Sequence, residues 1–411
     1  MKIASALHYS LRWLYKSTAI FLVVFAVLLS CLRLFLPHAH NYRDDLQNYI
    51  NNTYQTNIII GSLNTGWAST GPTLLAKNIS LLNANGVAIF VGNFEVELDF
   101  WQTLLRQQLV TTNFNIENAK VAITPSQFDK GEDSKKKNIV IARLSELFLK
   151  QIPQFTVKRS QIQIQFTDGK KSFSISELAW LNKGDSHRAK GEVIVDGLST
   201  NKLKLLVDLK GDDESELTGQ AYFEANSINI TPWLDNFLVL KNEHTNSSIN
   251  FQTWLNIESG QAKQLLLKLG ENQLTWQEKI PLENGNYLET AQQELLLTGG
   301  QVVVNVSEGF KQFDYYSSLI SWQVNDLPLQ QTEFHGVITD QFINGYLANV
   351  DIKSVVDLTP LFINKPSAED PLSDINPQGQ FTNIQFSYQD TVKIHANFSD
   401  ISTNNYGAIP G

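Results

Sequence analysis

Two hydrophobic regimes divide this chain. From Ser17 to Leu36 (STAIFLVVFAVLLSCLRLFL) the apolar residues form one block, and thirteen of the twenty are Val, Ile, Leu or Phe. A helix of that length is about 30 Å long, the thickness of a bilayer's hydrocarbon core. After a short polar stretch the period changes to two. In Phe94 to Phe100 (FEVELDF), Phe94, Val96, Leu98 and Phe100 share one face, and Glu95, Glu97 and Asp99 the other. Ile162, Ile164 and Phe166 oppose glutamines in QIQIQF, and Leu203, Leu205, Val207 and Leu209 repeat the pattern. Leu265, Leu267 and Leu269 follow, then Ile384, Phe386 and Tyr388, and last Val392, Ile394, Ala396 and Phe398. These are strands with one apolar face each.

The turns agree with that reading. Asn85-Gly86, Asp168-Gly169, Asp196-Gly197 and Asn284-Gly285 supply the positive φ values of tight hairpins. The sheet is expected to be mostly antiparallel and locally connected. Helices are few. His38 to Thr53 carries a stripe of Tyr42, Leu46, Tyr49 and Ile50, and Trp101 to Gln108 and Ile141 to Gln151 read as helical. Thr231-Pro232 opens another, with an echo at Thr359-Pro360 that is either a diverged repeat or coincidence.

Three readings compete for the apolar block. Its residues favour membrane insertion by about 4–8 kcal/mol. Arg33 opposes this by about 3 kcal/mol at most, and near the end of the span its stem can snorkel. No small-x-small site follows, as a cleaved signal would need. Cys31 follows Ser30 as in a lipoprotein signal, but Leu32, Leu34, Phe35 and Leu36 then extend the apolar run. An uncleaved anchor is favoured, centred on Ile20, Phe21, Leu22, Val23, Val24, Phe25, Val27, Leu28 and Leu29. Lys2, Arg12 and Lys16 precede it, which favours a cytoplasmic N-terminus and an exported body. The expected organisation is a cytoplasmic tail over 1–16, the anchor over 17–36, and a first β unit over 37–124. An exposed loop over 125–138, a β-groove region over 139–363, a second loop over 364–378 and further strands over 379–411 complete it.

Charge and chemistry narrow the function. The formal charge is −9, and the one dense basic run, Lys135-Lys136-Lys137, lies beside Asp129, Glu132 and Asp133. An acidic body without basic clusters argues against nucleic acid. The seven histidines are scattered, and no HExxH, GxSxG, Walker loop or GxGxxG occurs. No cofactor, metal or catalytic residue is expected. The apolar faces leave two possibilities: a closed, packed core, or an open curved sheet whose apolar face holds lipid chains. The scarcity of helices to cover so much sheet tilts the choice toward the groove.

Several motifs match a known family. The chain resembles the N-terminal part of YhdP-type proteins within the AsmA-like group of Gram-negative bacteria. The matching residues are Leu32 to Leu46 (LRLFLPHAHNYRDDL), Trp67-x-x-x-Gly71-Pro72-x-Leu74, and Phe100-Trp101-Gln102-Thr103-Leu104-Leu105. Leu147 to Ile162, Trp180 to Asn182, His187 to Val193 and Thr231-Pro232-Trp233-Leu234 continue the match. The resemblance implies an N-terminal transmembrane helix anchored in the inner membrane. It implies an elongated, curved, mostly antiparallel sheet in the periplasm, forming an open hydrophobic groove with a few short helices. The implied function is shielding phospholipid acyl chains for transport between inner and outer membrane, with the inner membrane and envelope proteins as further partners. The alternative is an envelope-assembly scaffold that binds protein. The candidate lining residues are Phe94, Val96, Leu98, Ile162, Ile164, Phe166, Leu203, Leu205 and Val207. Family chains are considerably longer than this one, so a truncated product or a fragment is expected.

Overall fold

The computed structural model describes residues 2–35, 40–54, 56–69, 71–83, 86–106, 110–123, 147–166, 169–195, 203–213, 215–234, 238, 245–277, 279–281, 287–307, 311–362 and 375–404. The chain is mainly β, with one long apolar helix at its N-terminus and few short helices. It falls into two compact units. One comprises residues 1–147 and 151–169, the other 148–150 and 170–411.

The first unit begins with helix α1, Lys2–Phe35, which is longer than its apolar block. Within it Trp13–Cys31 is long and apolar enough to cross a membrane. Ile20, Phe21, Leu22, Val23, Val24 and Val27 are each more than half exposed, so the unit itself offers them no core. Phe25 and Leu29 are half-buried, and the side chain of Leu28 lies outside the described residues. Helix α2 spans Arg43–Tyr54. Strands β1 (Ile58–Trp67), β2 (Pro72–Asn83) and β3 (Gly86–Leu98) follow. Helix α3 (Phe100–Arg106), β4 (Thr111–Ile123) and β5 (Gln154–Phe166) complete the unit, and of the π-turn at Leu147–Gln151 residues 148–150 belong to the second. β1 to β4 form an antiparallel meander. β5 departs from the local connectivity expected, because it joins β4 in parallel, from Asn115↔Thr156 to Ile123↔Ile164. A parallel neighbour requires a crossover, and 30 residues separate the two strands.

The alternation in this unit is broken once in each strand, at the same level. Asn78, Asn118 and Arg159 have φ of 52°, 55° and 46°. Beside them stand Gly61 on β1 and Gly92 on β3, where a Cβ would meet the Cβ of Asn78 at 2.9 Å and of Asn118 at 2.8 Å. The pairings run through this level without a shift, so no residue is inserted, and the break itself returns the apolar residues to one face. Ile60 and Leu63, three apart, are therefore both buried, with Ala76. Leu46, Ile50, Ile58, Leu74, Ile79 and Phe94 pack against them.

Helix α2 also closes an edge. Gln47 Oε1 accepts the Ile60 N–H at 2.9 Å, and Asn51 Oδ1 accepts the Ile58 N–H at 2.7 Å. An unpaired strand edge templates aggregation, and here side chains occupy its donors. The apolar stripe expected on this helix narrows accordingly. Leu46 and Ile50 pack inward, while Tyr42 and Tyr49 are exposed.

The second unit holds β6 (Gly169–Lys183), β7 (Ser186–Val195), β8 (Leu203–Lys210) and β9 (Thr218–Ile228), then the short helix α4 (Thr231–Leu234). β10 (Thr245–Glu258), β11 (Gln261–Leu269) and β12 (Asn272–Trp276) come next, with the small hairpin β13 (Lys279–Pro281) and β14 (Tyr287–Glu289). β15 (Gln293–Gly299), β16 (Gln301–Ser307), β17 (Gln312–Ser317), β18 (Ile320–Val324) and β19 (Gln330–Thr332) follow. β20 (Phe334–Thr339), β21 (Ile343–Asp351), helix α5 (Ile352–Phe362), β22 (Gln378–Tyr388) and β23 (Val392–Ser402) end it. The Thr359-Pro360 echo is not a helix start: Pro360 lies inside α5, one turn from its end. The four turn dipeptides are only partly among the described residues; β2–β3, β7–β8 and β13–β14 are nonetheless antiparallel neighbours.

The pairings order twelve strands as β6-β7-β8-β9-β10-β11-β16-β17-β20-β21-β22-β23, all antiparallel. The N-terminal half of β10 instead pairs β12, which leads to β15, β18 and β19. This side branch carries the densest core. Leu238, Trp276, Trp322, Val324 and Leu361 are buried together, with Leu234, Leu274, Leu295, Leu297 and Leu358 against them. A packed two-layer arrangement is thus present in one part of the unit.

Candidate functional site

Cross-strand partners share a face, so the registers define what each face presents. One row crosses all twelve strands of the order that runs from β6 to β23. It begins Trp180, Ala189, Val207, Ala221, Leu255 and Leu265. It continues Val304, Tyr315, Gly336, Gly345, Phe386 and Ile394. No member carries a charge. Next to it run Leu205, Phe223, Thr253, Leu267 and Val302, again on the same face. Most of these side chains are half-buried rather than sealed in a core, and Ile394 is exposed.

The row narrows at two glycines. A Cβ on Gly345 would lie 2.0 Å from the Phe386 ring, and one on Gly336 would lie 2.3 Å from Tyr315 Oη. The two rings therefore lie across backbone that has no side chain of its own, a device that lets a sheet bend while the aromatic covers the gap. Burial holds the Tyr315 phenol above its usual pKa.

The opposite face carries a polar ladder. Gln220 Nε2 donates to Asn256 Oδ1 at 2.9 Å, Asn256 Nδ2 to Gln264 Oε1 at 3.3 Å, and Gln264 Nε2 to Asn305 Oδ1 at 2.9 Å. That amide ladder joins four strands. Beside it runs an apolar row that strict alternation did not predict: Leu206, Tyr222, Trp254, Leu266, Val303 and Tyr316. Runs such as Leu265-Leu266-Leu267 and Val302-Val303-Val304 place apolar residues on both faces, and periodicity could not say which belongs where.

Of the residues singled out from the sequence, Leu203, Leu205 and Val207 lie half-buried on the apolar face of β8. Phe94, Val96 and Leu98 share the apolar face of β3, with Phe94 edge-on to Phe114 at 5.0 Å and Val96 buried. Ile162 is half-buried and pairs with Val121. Ile164 and Phe166 lie on β5, but their side chains are outside the described residues. The two sets occupy different compact units. Sequence reading overlooked Leu255, Val304, Tyr315, Gly336 and Gly345. The alternations Phe334-x-Gly336-x-Ile338 and Ile343-x-Gly345-x-Leu347 were a usable signal for the last two.

A hollow of about 510 Å³ opens where β20 to β23 meet, lined by His335, Asn344, Tyr346, Gln385, Lys393 and His395 among others, with no carboxylate. Among the described residues, no group of three or more His, Cys, Asp or Glu is placed to hold a metal ion.

The YhdP family model, described as YhdP protein, matches residues 1–411. The chain is 25% identical over 245 residues to the intermembrane phospholipid transporter YhdP of Escherichia coli (strain K12). That alignment covers 59% of this chain and 19% of the relative, so the match spans about a fifth of the relative's length. No solved structure matches the chain. With all of its residues matched, the chain belongs to the YhdP family.

Proposed function

We propose that this chain is an inner-membrane-anchored periplasmic protein that shelters phospholipid acyl chains along the apolar face of its sheet, for transport between the inner and outer membranes. The observation that carries the reading is the uncharged row from Trp180 to Ile394, set against the amide-bearing face behind it. Such an asymmetric, half-buried face is more than a packed core requires and fits a lipid tail. Exposing a lipid's roughly thirty CH₂ groups to water costs roughly 24 kcal/mol at about 0.8 each. An apolar face removes that barrier without any catalytic group. It supplies a path and no direction, so energy must come from a partner or a lipid gradient. The relative's name, an intermembrane phospholipid transporter, supports phospholipid as the cargo.

Two adjacent leucines test the reading. Leu267 lies on the apolar face and Leu266 on the amide-bearing one. A photo-crosslinking amino acid at each position, in the full chain in its own membrane, is expected to capture phospholipid at 267 and not at 266. Equal capture at both positions, or none at 267, overturns it.

The scaffold reading draws on the buried cluster of Trp276, Trp322, Val324 and Leu361, which is a sealed two-layer core. That cluster is built around the side branch and reaches β21 through Val350, and no member of the twelve-strand row belongs to it.

A further inference from the structure

Helix α3 carries an exposed apolar face beside α1 that the anchor reading does not use. Three aromatic side chains follow helix α1 inward from its end. The Arg33 guanidinium lies 4.8 Å over the Trp67 ring. Trp67 lies 5.9 Å from Phe100, and Phe100 lies 6.0 Å from Phe25. Trp101 reaches Phe25 as well, at 5.5 Å. Phe25 is eight residues before Arg33, which is about 12 Å along a helix. Where Arg33 marks the membrane surface, the Phe25 level lies well inside the hydrocarbon, and α3 is held at that level.

The other side of α3 is apolar and uncovered. Trp101, Leu104 and Leu105 are 57%, 52% and 81% exposed. The helix is held by polar bonds: Asp99 Oδ1 caps its start by accepting the Gln102 N–H at 2.8 Å, and the Val110 N–H donates to Thr103 Oγ1 at 3.0 Å. Gly71 lets the β1–β2 turn abut the start of α3, since a Cβ there would lie 2.4 Å from the Leu98 carbonyl. The exposed face is therefore held, not left by a frayed end. It is continuous with the exposed lipid-facing surface of α1 through Phe25, and that continuity selects its occupant.

We infer that α3 inserts Trp101, Leu104 and Leu105 into the bilayer leaflet beside the body, next to α1. The inference rests on the reading that α1 spans the membrane. An amphipathic segment at this depth sinks its apolar face past the headgroups, and Arg106 has a stem long enough to snorkel back. The first sheet would then begin among lipid tails rather than above the headgroups, so a tail could reach its apolar face without crossing water.

The test uses the full chain with Cys31→Ser, reconstituted in phosphatidylethanolamine–phosphatidylglycerol vesicles. A nitroxide is placed at Leu105→Cys, at Val24→Cys in α1, or at Lys120→Cys on the exposed side of β4. Collision with dissolved oxygen reports hydrocarbon, and collision with a water-soluble nickel chelate reports solvent. Labels at 105 and 24 are expected to be oxygen-accessible and chelate-shielded, with the order reversed at 120. A label at 105 that behaves like 120 while 24 stays shielded overturns the insertion of α3 and leaves the anchor standing. A chelate-exposed label at 24 overturns the anchor, and this inference with it.

Discussion

Asn182 Oδ1 lies 2.7 Å from His187 Nδ1, and the same oxygen accepts the Trp180 indole N–H at 2.6 Å. The Asn182 amide donates in turn to the Phe148 carbonyl, and His187 Nε2 lies 2.7 Å from the Gly211 carbonyl. His187 is 1% exposed, so these contacts are made away from water. Asn182 thus ties the π-turn, the β6–β7 hairpin and the turn after β8 into one network. Replacing it with leucine removes the partner of the Trp180 indole N–H and of the buried His187 Nδ1, at about 1–3 kcal/mol for each buried group left unsatisfied. Chemical denaturation of the full chain in detergent should show the second unit weakened by several kcal/mol. Asn182→Ser, which keeps an oxygen, should lose less.

The glycines of the first unit are constrained by the row of left-handed residues. Gly92→Val would drive a branched side chain into Asn118, whose Cβ already lies 2.8 Å from where the new Cβ would stand. A loss of about 1–3 kcal/mol is expected from overpacking. Asn118→Val should cost a similar amount, because a β-branched residue is strained at a φ of 55°. Thermal melting of each variant measures both effects, and a double variant no worse than the singles would show that they act at one site.

A charge on the apolar row should expel lipid. Val304→Asp places a carboxylate among Leu265 and Tyr315, at a cost of about 3 kcal/mol against hydrocarbon, or about two orders of magnitude in occupancy. Val303→Asp, one residue along and on the opposite face, should leave bound phospholipid unchanged. Mass spectrometry of lipids that purify with each variant reads the difference, and comparable circular dichroism shows that the fold survives.

Acid should loosen one turn before the sheet. Asp213 Oδ1 accepts both the hydroxyl and the N–H of Ser215, and these bonds hold its pKa below the usual carboxylate range. A carboxyl with a depressed folded pKa stabilises the fold above its unfolded value, and that contribution is lost as pH falls through the lowered one. The Ser215 amide resonance should therefore titrate below the ordinary aspartate range. Ser215→Ala should move the midpoint upward.

Much of this architecture is written locally. The uninterrupted apolar block gives α1, and the alternations at 94–98, 162–166 and 203–209 fall on β3, β5 and β8, while Phe100 opens α3 instead of continuing the strand. A strand's own period suffices there, because each face is uniform along the segment. Trp180, Asn182 and His187 also stood out, but only as motifs; that they share hydrogen bonds depends on a hairpin register and on Phe148, more than thirty residues away.

What the sequence determined by itself is the kind of each element: one membrane-length helix and many strands with an apolar and a polar side. Which side of one strand continues into the next was decided by tertiary structure. Side-chain period fixes a face along a strand, while hydrogen-bonded register fixes it across strands, and one left-handed residue reverses the count. Asn118 and Arg159 do so in β4 and β5, and Leu266 shows that a residue between two apolar-face leucines belongs to the other side. The uncharged row from Trp180 to Ile394 exists only once twelve strands are in register, since the period of any single strand is blind to its neighbours.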